Sequence, residues 1–157
     1  MCSIVAIGNP GSGKSSILNS LAGKILFPSG ISIGCGLTEQ LCAVESNGTT
    51  FVDTPGVSED TYCQAAGDAL TNVFRNGGRM KILFFITQRS GRIVMQDVAT
   101  MKLILESVPE IGRNYGIIVN KIPGNVLAEL SDLEKQQSFA LSLYTTLAVV
   151  PAALAGR

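Results

Sequence analysis

The chain has no histidine and no tryptophan, and its four cysteines, Cys2, Cys35, Cys42 and Cys63, fall at no C-x-x-C spacing. Those absences remove a histidine-based triad and leave a zinc site without its usual ligands. Cysteines without a framework read as small buried or incidental residues of a reducing, cytoplasmic setting. Charge of one sign is missing too, since twelve basic residues balance twelve acidic ones. No surface for nucleic acid or for a general membrane face is expected. The apolar run from Lys81 to Thr87 is short and is followed by Arg89 and Arg92, whereas a membrane span needs about 20 residues. No transmembrane segment is expected. The N-terminal apolar stretch has no basic leader, so no signal peptide is expected either. Repeats, low-complexity tracts and linkers are absent, and 157 residues suit one compact domain, 1–157.

What is present begins with Gly8-Asn9-Pro10-Gly11-Ser12-Gly13-Lys14-Ser15, which satisfies G-x-x-x-x-G-K-[ST] at every required position. Ser3 to Ile7 before it is short, apolar and β-branched, and Ser16 to Ala22 after it is apolar at helical spacing. This predicts strand, loop and helix, the context in which the pattern binds phosphate. The glycines let backbone N–H groups approach an anion, and the helix N-terminus adds its own unpaired N–H groups and positive dipole end. Lys14 is placed to reach the β- and γ-phosphates, and the Ser15 hydroxyl to ligate Mg²⁺.

Farther on, Gly23-Lys24 ends the first helix and 25–36 reads as a loop. Thr38 lies just beyond it and is a candidate for binding Mg²⁺ through its hydroxyl and γ-phosphate through its backbone N–H; Ser29 and Ser32 are rivals. Two strands, 41–46 and 50–53, are joined by Asn47-Gly48, a two-residue hairpin signal. The second ends in Asp53-Thr54-Pro55-Gly56, where Asp53 is positioned to orient a Mg²⁺-bound water and the Gly56 N–H to meet the γ-phosphate. A helix is expected over 59–76, a buried central strand over 81–87, and a polar loop over 88–92. Val98, Met101, Ile104, Leu105 and Val108 mark the core face of a helix over 94–107. A buried strand over 115–119 delivers Asn120-Lys121 to the edge where open α/β sheets bind ligands. One long helix is expected over 127–146 and a last strand over 147–151.

Gly8 to Ser15, Thr38, Asp53 to Gly56 and Asn120-Lys121 together resemble, in order and spacing, the boxes of small G domains of the translation-factor-related GTPase class. Within that class the chain looks most like the immunity-associated (GIMAP-type) and septin-related branch, through Asp53-Thr54-Pro55-Gly56-Val57 and the segment 88–92 before a long helix. The resemblance implies a three-layer α/β P-loop fold, a mostly parallel central sheet flanked by helices; the last C-terminal helix that G domains usually carry is expected to be lacking here, a departure from the pattern, since Arg157 comes soon after the expected last strand. It implies GTP or GDP as ligand and Mg²⁺ as cofactor. Asn9, Pro10, Gly11, Ser12, Gly13, Lys14, Ser15, Ser16, Asp53, Gly56, Asn120 and Lys121 would hold the nucleotide. Ser15, Thr38 and Asp53 would serve the metal, and Lys14, Thr38 and Gly56 catalysis. A nucleotide-dependent homodimer or an effector protein is the partner it implies.

Two departures bear on mechanism. Pro123 stands where G domains carry the aspartate that accepts from guanine, so ATP or relaxed base choice stays open beside GTP. Val57 stands where small signalling GTPases carry a water-positioning glutamine, which implies slow intrinsic hydrolysis; Gln64 or Arg89 could substitute. The leading expectation is a slow GTPase used as a switch or scaffold. Its rivals are a P-loop ATPase or small-molecule kinase, and a nucleotide-binding interaction module with negligible turnover.

Overall fold

A computed structural model describes residues 2–30, 41–56 and 79–147. Thr38, Ser32, Val57, Gln64, Cys35, Cys63, the helix expected over 59–76 and residues 148–151 of the expected last strand lie outside the described residues.

The chain opens with β1 (Cys2–Gly8), followed by α1 (Lys14–Ala22). Gly23, at φ 69°, takes the left-handed conformation that ends α1, its N–H donating to the Ser20 carbonyl. Then come β2 (Cys42–Ser46) and β3 (Thr49–Asp53), an antiparallel hairpin whose Asn47 and Gly48 both have positive φ, as a two-residue turn requires. The long β4 (Arg79–Arg89) follows, then β5 (Arg92–Ile93), α2 (Met95–Ser107), a 3-10 turn (Pro109–Ile111) and β6 (Tyr115–Asn120). Two helices close the described chain, α3 (Gly124–Glu129) and α4 (Leu133–Leu147).

The sheet runs β2-β3-β1-β4-β6, parallel except for β2, with β5 adding a short antiparallel strand to the end of β4. This is the α/β P-loop fold expected, with helices packed on both faces. Apolar runs in β1 and β4 that look continuous in sequence sort by alternation onto two faces. Val5, Ile7, Ile82, Phe84 and Ile86 pack with Val98, Met101, Ile104, Leu105 and Val108 of the α2 side. Ala6, Phe51 and Phe85 pack with Leu18 of α1 and with Phe27. Asn19 ties Phe27 into that second core: its amide donates to the Phe27 carbonyl, and its oxygen accepts from the Leu26 and Phe27 N–H groups. Among the described residues no helix is long and apolar enough to cross a membrane.

Four expectations need correction. Residues 88–92 are not a polar loop, because Gln88 and Arg89 finish β4 and pair with Ile93 and Arg92 across Ser90-Gly91. Ser90 and Gly91 both have positive φ, the same turn device as Asn47-Gly48. The helix over 127–146 is instead two helices. Asp132 accepts from the N–H groups of Glu134 and Lys135, and so starts α4 afresh as a capping residue. Leu147, expected to open a strand, is the last residue of α4. Finally, β6 is half-buried at all six positions rather than buried, with Ile117 and Ile118 partly covered by the two cores. Of the cysteines described, Cys2 is half-buried and Cys42 exposed, and both are free thiols.

Candidate functional site

The parallel register gathers four sequence boxes on one edge. Ala6 lies opposite Asp53, Gly8 opposite Phe85, and Thr87 opposite Asn120, so β1, β3, β4 and β6 bring their carboxyl ends to one edge in a staggered row. In open α/β sheets that carboxyl edge is where ligands bind.

The loop from β1 to α1 is held in a concave form. Ser12 N–H donates to the Asn9 carbonyl at 3.2 Å, and Gly13 sits at φ 93° as the residue capping α1. No side chain caps α1, so its N-terminal N–H groups face the edge without a side-chain acceptor. Gly13 is required twice over: its φ is left-handed, and a Cβ there would come within 2.3 Å of the Asn120 amide nitrogen. That amide donates to the Ser12 carbonyl at 2.8 Å, bracing the loop from β6.

Lys14 is folded inward, with only 6% of its surface exposed. Its ammonium donates to the carbonyls of Gly8 at 2.9 Å and Asn9 at 3.2 Å. Two of three donors are thereby fixed, and the third can serve an anion. Burial lowers its pKa to about 8, against the opposing pull of the Asp53 and Asp97 carboxylates.

Ser15 and Asp53 meet across the loop, the hydroxyl donating to Asp53 Oδ2 at 2.6 Å. Asp53 and Thr54 are fully buried, and Thr54 Oγ1 donates to the Ala6 carbonyl at 2.7 Å, stitching this segment to β1. A hydroxyl and a carboxylate are the hard oxygen donors that suit Mg²⁺. Among the described residues no group of three or more His, Cys, Asp or Glu gathers. Mg²⁺ does not demand one, since it is commonly held by one or two protein oxygens together with phosphates and waters. The residues present therefore fit that ion. Gly56 closes the far side of the loop, against the Pro10 ring; a Cβ there would meet Pro10 Cγ at 2.3 Å.

The structure thus brings together Asn9, Pro10, Ser12, Gly13, Lys14, Ser15, Asp53, Gly56 and Asn120. Gly11 lies at the exposed rim with φ 70°. Ser16 is exposed on α1, and its carbonyl accepts from Ser20, away from the cluster. Lys121 has φ 59° at the end of β6, and Pro123 caps α3 without a side-chain acceptor. Ser29, a rival to Thr38, is exposed. Arg89 is exposed at the end of β4, whereas Gln88 beside it is buried.

One residue of this edge escaped sequence reasoning. Asp97, in the first turn of α2, is 4% exposed and accepts from the Asn9 amide at 2.6 Å and from the Thr87 N–H and hydroxyl. The available signal was its place on the apolar stripe, one turn before Met101, where a carboxylate is costly unless paired.

The profile of the family described as 50S ribosome-binding GTPase matches residues 3–121. No curated protein sequence matches significantly. Among solved structures, a dimerization-deficient mutant of Toc33 from Arabidopsis thaliana superposes with a TM-score of 0.63 at 16% identity, covering 95% of this chain and 62% of that one. NFeoB from S. thermophilus bound to GDP·AlF4⁻ gives 0.56 at 23%, covering 84% and 50%. The same protein bound to mGMPPNP gives 0.53 at 19%, covering 83% and 47%. At such identities the likeness is one of fold, and the chain spans about half to three fifths of the length of these structures.

Proposed function

Because the chain belongs to the 50S ribosome-binding GTPase family, with residues 3–121 matched, we propose that it binds guanine nucleotide with Mg²⁺ and hydrolyses GTP slowly, as a conformational switch or scaffold. The observation that carries this reading is the ready-formed phosphate cradle: an uncapped α1, an inward Lys14 and the Ser15–Asp53 pair on one sheet edge.

In this reading the α1 N–H groups and the third Lys14 donor hold the β- and γ-phosphates. Ser15 and Thr38 would hold the ion through their hydroxyl oxygens, and Asp53 would orient water beside it. Mg²⁺, when bound, supplies the positive charge that offsets charge building on the phosphate oxygens. The Gly56 N–H meets the γ-phosphate, whose contacts would order segments 25–38 and 56–62, so that its loss would release them. Asn120 braces the loop rather than the base, and the Lys121 stem packs on the base. Val57 offers no hydrogen bond to an attacking water, which is why turnover is slow. The GIMAP-type and septin-related branch, a nucleotide-dependent homodimer or an effector partner, and a cytoplasmic address belong to the same proposal, on the strength of the sequence boxes.

A second reading has one observation in its favour. Pro123 has no side-chain acceptor and the Asn120 amide is engaged by Ser12, which leaves guanine selectivity weak and ATP a competitor. Equilibrium binding of GTP, GDP and ATP with Mg²⁺, against a Lys14→Ala control, separates the two. Guanine binding with little for ATP is the expected result; equal or better ATP binding would overturn it. Single-turnover hydrolysis by Val57→Gln should rise above the wild-type rate, and an unchanged rate would remove the explanation for slowness.

A further inference from the structure

A carboxylate buried on the core face of a helix needs a reason, since packing alone would be served by an apolar side chain. Asp97 has three hydrogen bonds. Its Oδ1 accepts from Asn9 Nδ2 at 2.6 Å, and its Oδ2 accepts from the Thr87 N–H at 2.7 Å and the Thr87 hydroxyl at 2.5 Å. Asn9 is 8% exposed, and its own Oδ1 accepts from the Thr100 hydroxyl at 3.2 Å. The Asn9 backbone carbonyl is in turn one of the two that hold the Lys14 ammonium. A continuous chain of contacts therefore runs from α2 and the end of β4, through one side chain, to the lysine of the phosphate loop.

We propose that Asp97 is a positioning residue for nucleotide binding: by fixing the Asn9 amide it fixes the loop carbonyl that aims Lys14, and so couples α2 and the β4–β5 hairpin to the phosphates. This rests on the reading of the loop as a guanine-nucleotide site. Asp97 acts through Asn9. Thr87 anchors the carboxylate to the sheet from behind, and Thr100 holds the other end of the Asn9 amide from the next turn of α2. Any movement of the α2 start or of the hairpin is thereby transmitted to the orientation of Lys14, and occupancy of the loop is transmitted outward along the same bonds.

The polarity of the pair makes the idea testable. Reversing it, Asn9→Asp with Asp97→Asn, keeps every hydrogen bond. The new amide at 97 donates to the new carboxylate at 9, its oxygen still accepts from Thr87, and the carboxylate still accepts from Thr100. Asn9→Asp alone sets two carboxylates against each other. Asp97→Asn alone is milder, because the Asn9 amide can turn over and accept.

The experiment is titration of the full chain, with Mg²⁺, by mant-GDP and mant-GTPγS, with melting curves for each variant and Lys14→Ala as control. Asn9→Asp should weaken both probes about tenfold or more, and Asp97→Asn about threefold. The double swap should return to within about threefold of wild type, far from the product of the single losses. A folded double swap that binds as poorly as that product would overturn the proposal. So would single variants that bind like wild type while Lys14→Ala does not; in both cases the nucleotide-site reading would stand. If Asn9→Asp fails to fold, the double swap decides alone, since its hydrogen bonds are complete. No binding of either probe by the wild-type chain would overturn the nucleotide-site reading and this proposal with it.

Discussion

The two ends of the ligand edge are built to different standards. Beneath the phosphate loop the contributors are largely buried and tied by side-chain bonds: Lys14 to two carbonyls, half-buried Ser15 to Asp53, Thr54 to β1 and Asn9 to Asp97. At the β6 end the strand is half-buried along its length, α3 buries nothing, and Pro123 presents no side-chain acceptor. The Asn120 side chain reaches back to the phosphate loop rather than outward. The difference teaches that this fold is specified for phosphate first and for a base second. Charge-assisted hydrogen bonds from a fixed cradle supply affinity without reading the base, whereas selectivity needs a dedicated partner for the base edge.

The contrast can be broken most severely at Lys14. Lys14→Ala should lower affinity for GTP, GDP and ATP alike by roughly a hundredfold or more, since a charge-assisted contact contributes on that order; calorimetric titration would read it. Next in size is Asn120→Ala, expected to weaken all three nucleotides about tenfold, the order of one lost bracing hydrogen bond and the loop freedom it restrains. A change in guanine-over-adenine preference, instead of a uniform loss, would mean that Asn120 reads the base after all. Pro123→Asp should sharpen the base end by raising the GTP-over-ATP ratio about tenfold. An aspartate also suits the N-cap of α3, so unaltered nucleotide preference with a higher melting temperature would show that the position caps and does not read.

The smallest effect expected is with pH. Lys14 has its pKa lowered to about 8 in the free chain, and a bound phosphate favours the ammonium, raising that value. Binding therefore takes up a proton near pH 8. Affinity should be level below about pH 7 and fall as pH rises through 8 and beyond. Titration in buffers of different ionisation enthalpy would measure the uptake, and its absence would mean that the third Lys14 donor does not meet the anion.

Much of this edge was legible because its requirements are local. The Gly-rich loop, Asn47-Gly48, Asp53 at a strand end and the α2 stripe each follow from a few adjacent residues and a fixed period. What escaped depended on partners far along the chain or on a short polar residue with two uses. Ser90-Gly91 makes the same turn as Asn47-Gly48, but with arginines beside it the segment looked like a solvated loop. Asp132 has a charge that would suit the wet side of a single helix over 127–146, although its side chain begins a new one. Asp97 pairs with a residue 88 positions away, which no local pattern announces. The half-burial of β6 follows from which elements pack over it, and an apolar run cannot say how much cover it will receive.

The contact between Gly56 and Pro10 carries a consequence for how variants of this chain combine. A single methyl group at position 56 would lie 2.3 Å from Pro10 Cγ and 2.4 Å from its backbone nitrogen, and a proline ring cannot swing aside. Gly56→Ala should therefore disable the loop, and Pro10→Gly beside it should not restore it, since that change removes the ring but leaves the backbone nitrogen at 2.4 Å. Position 56 is thereby closed to any side chain whatever residue stands at position 10, because the obstacle includes main chain that no substitution removes.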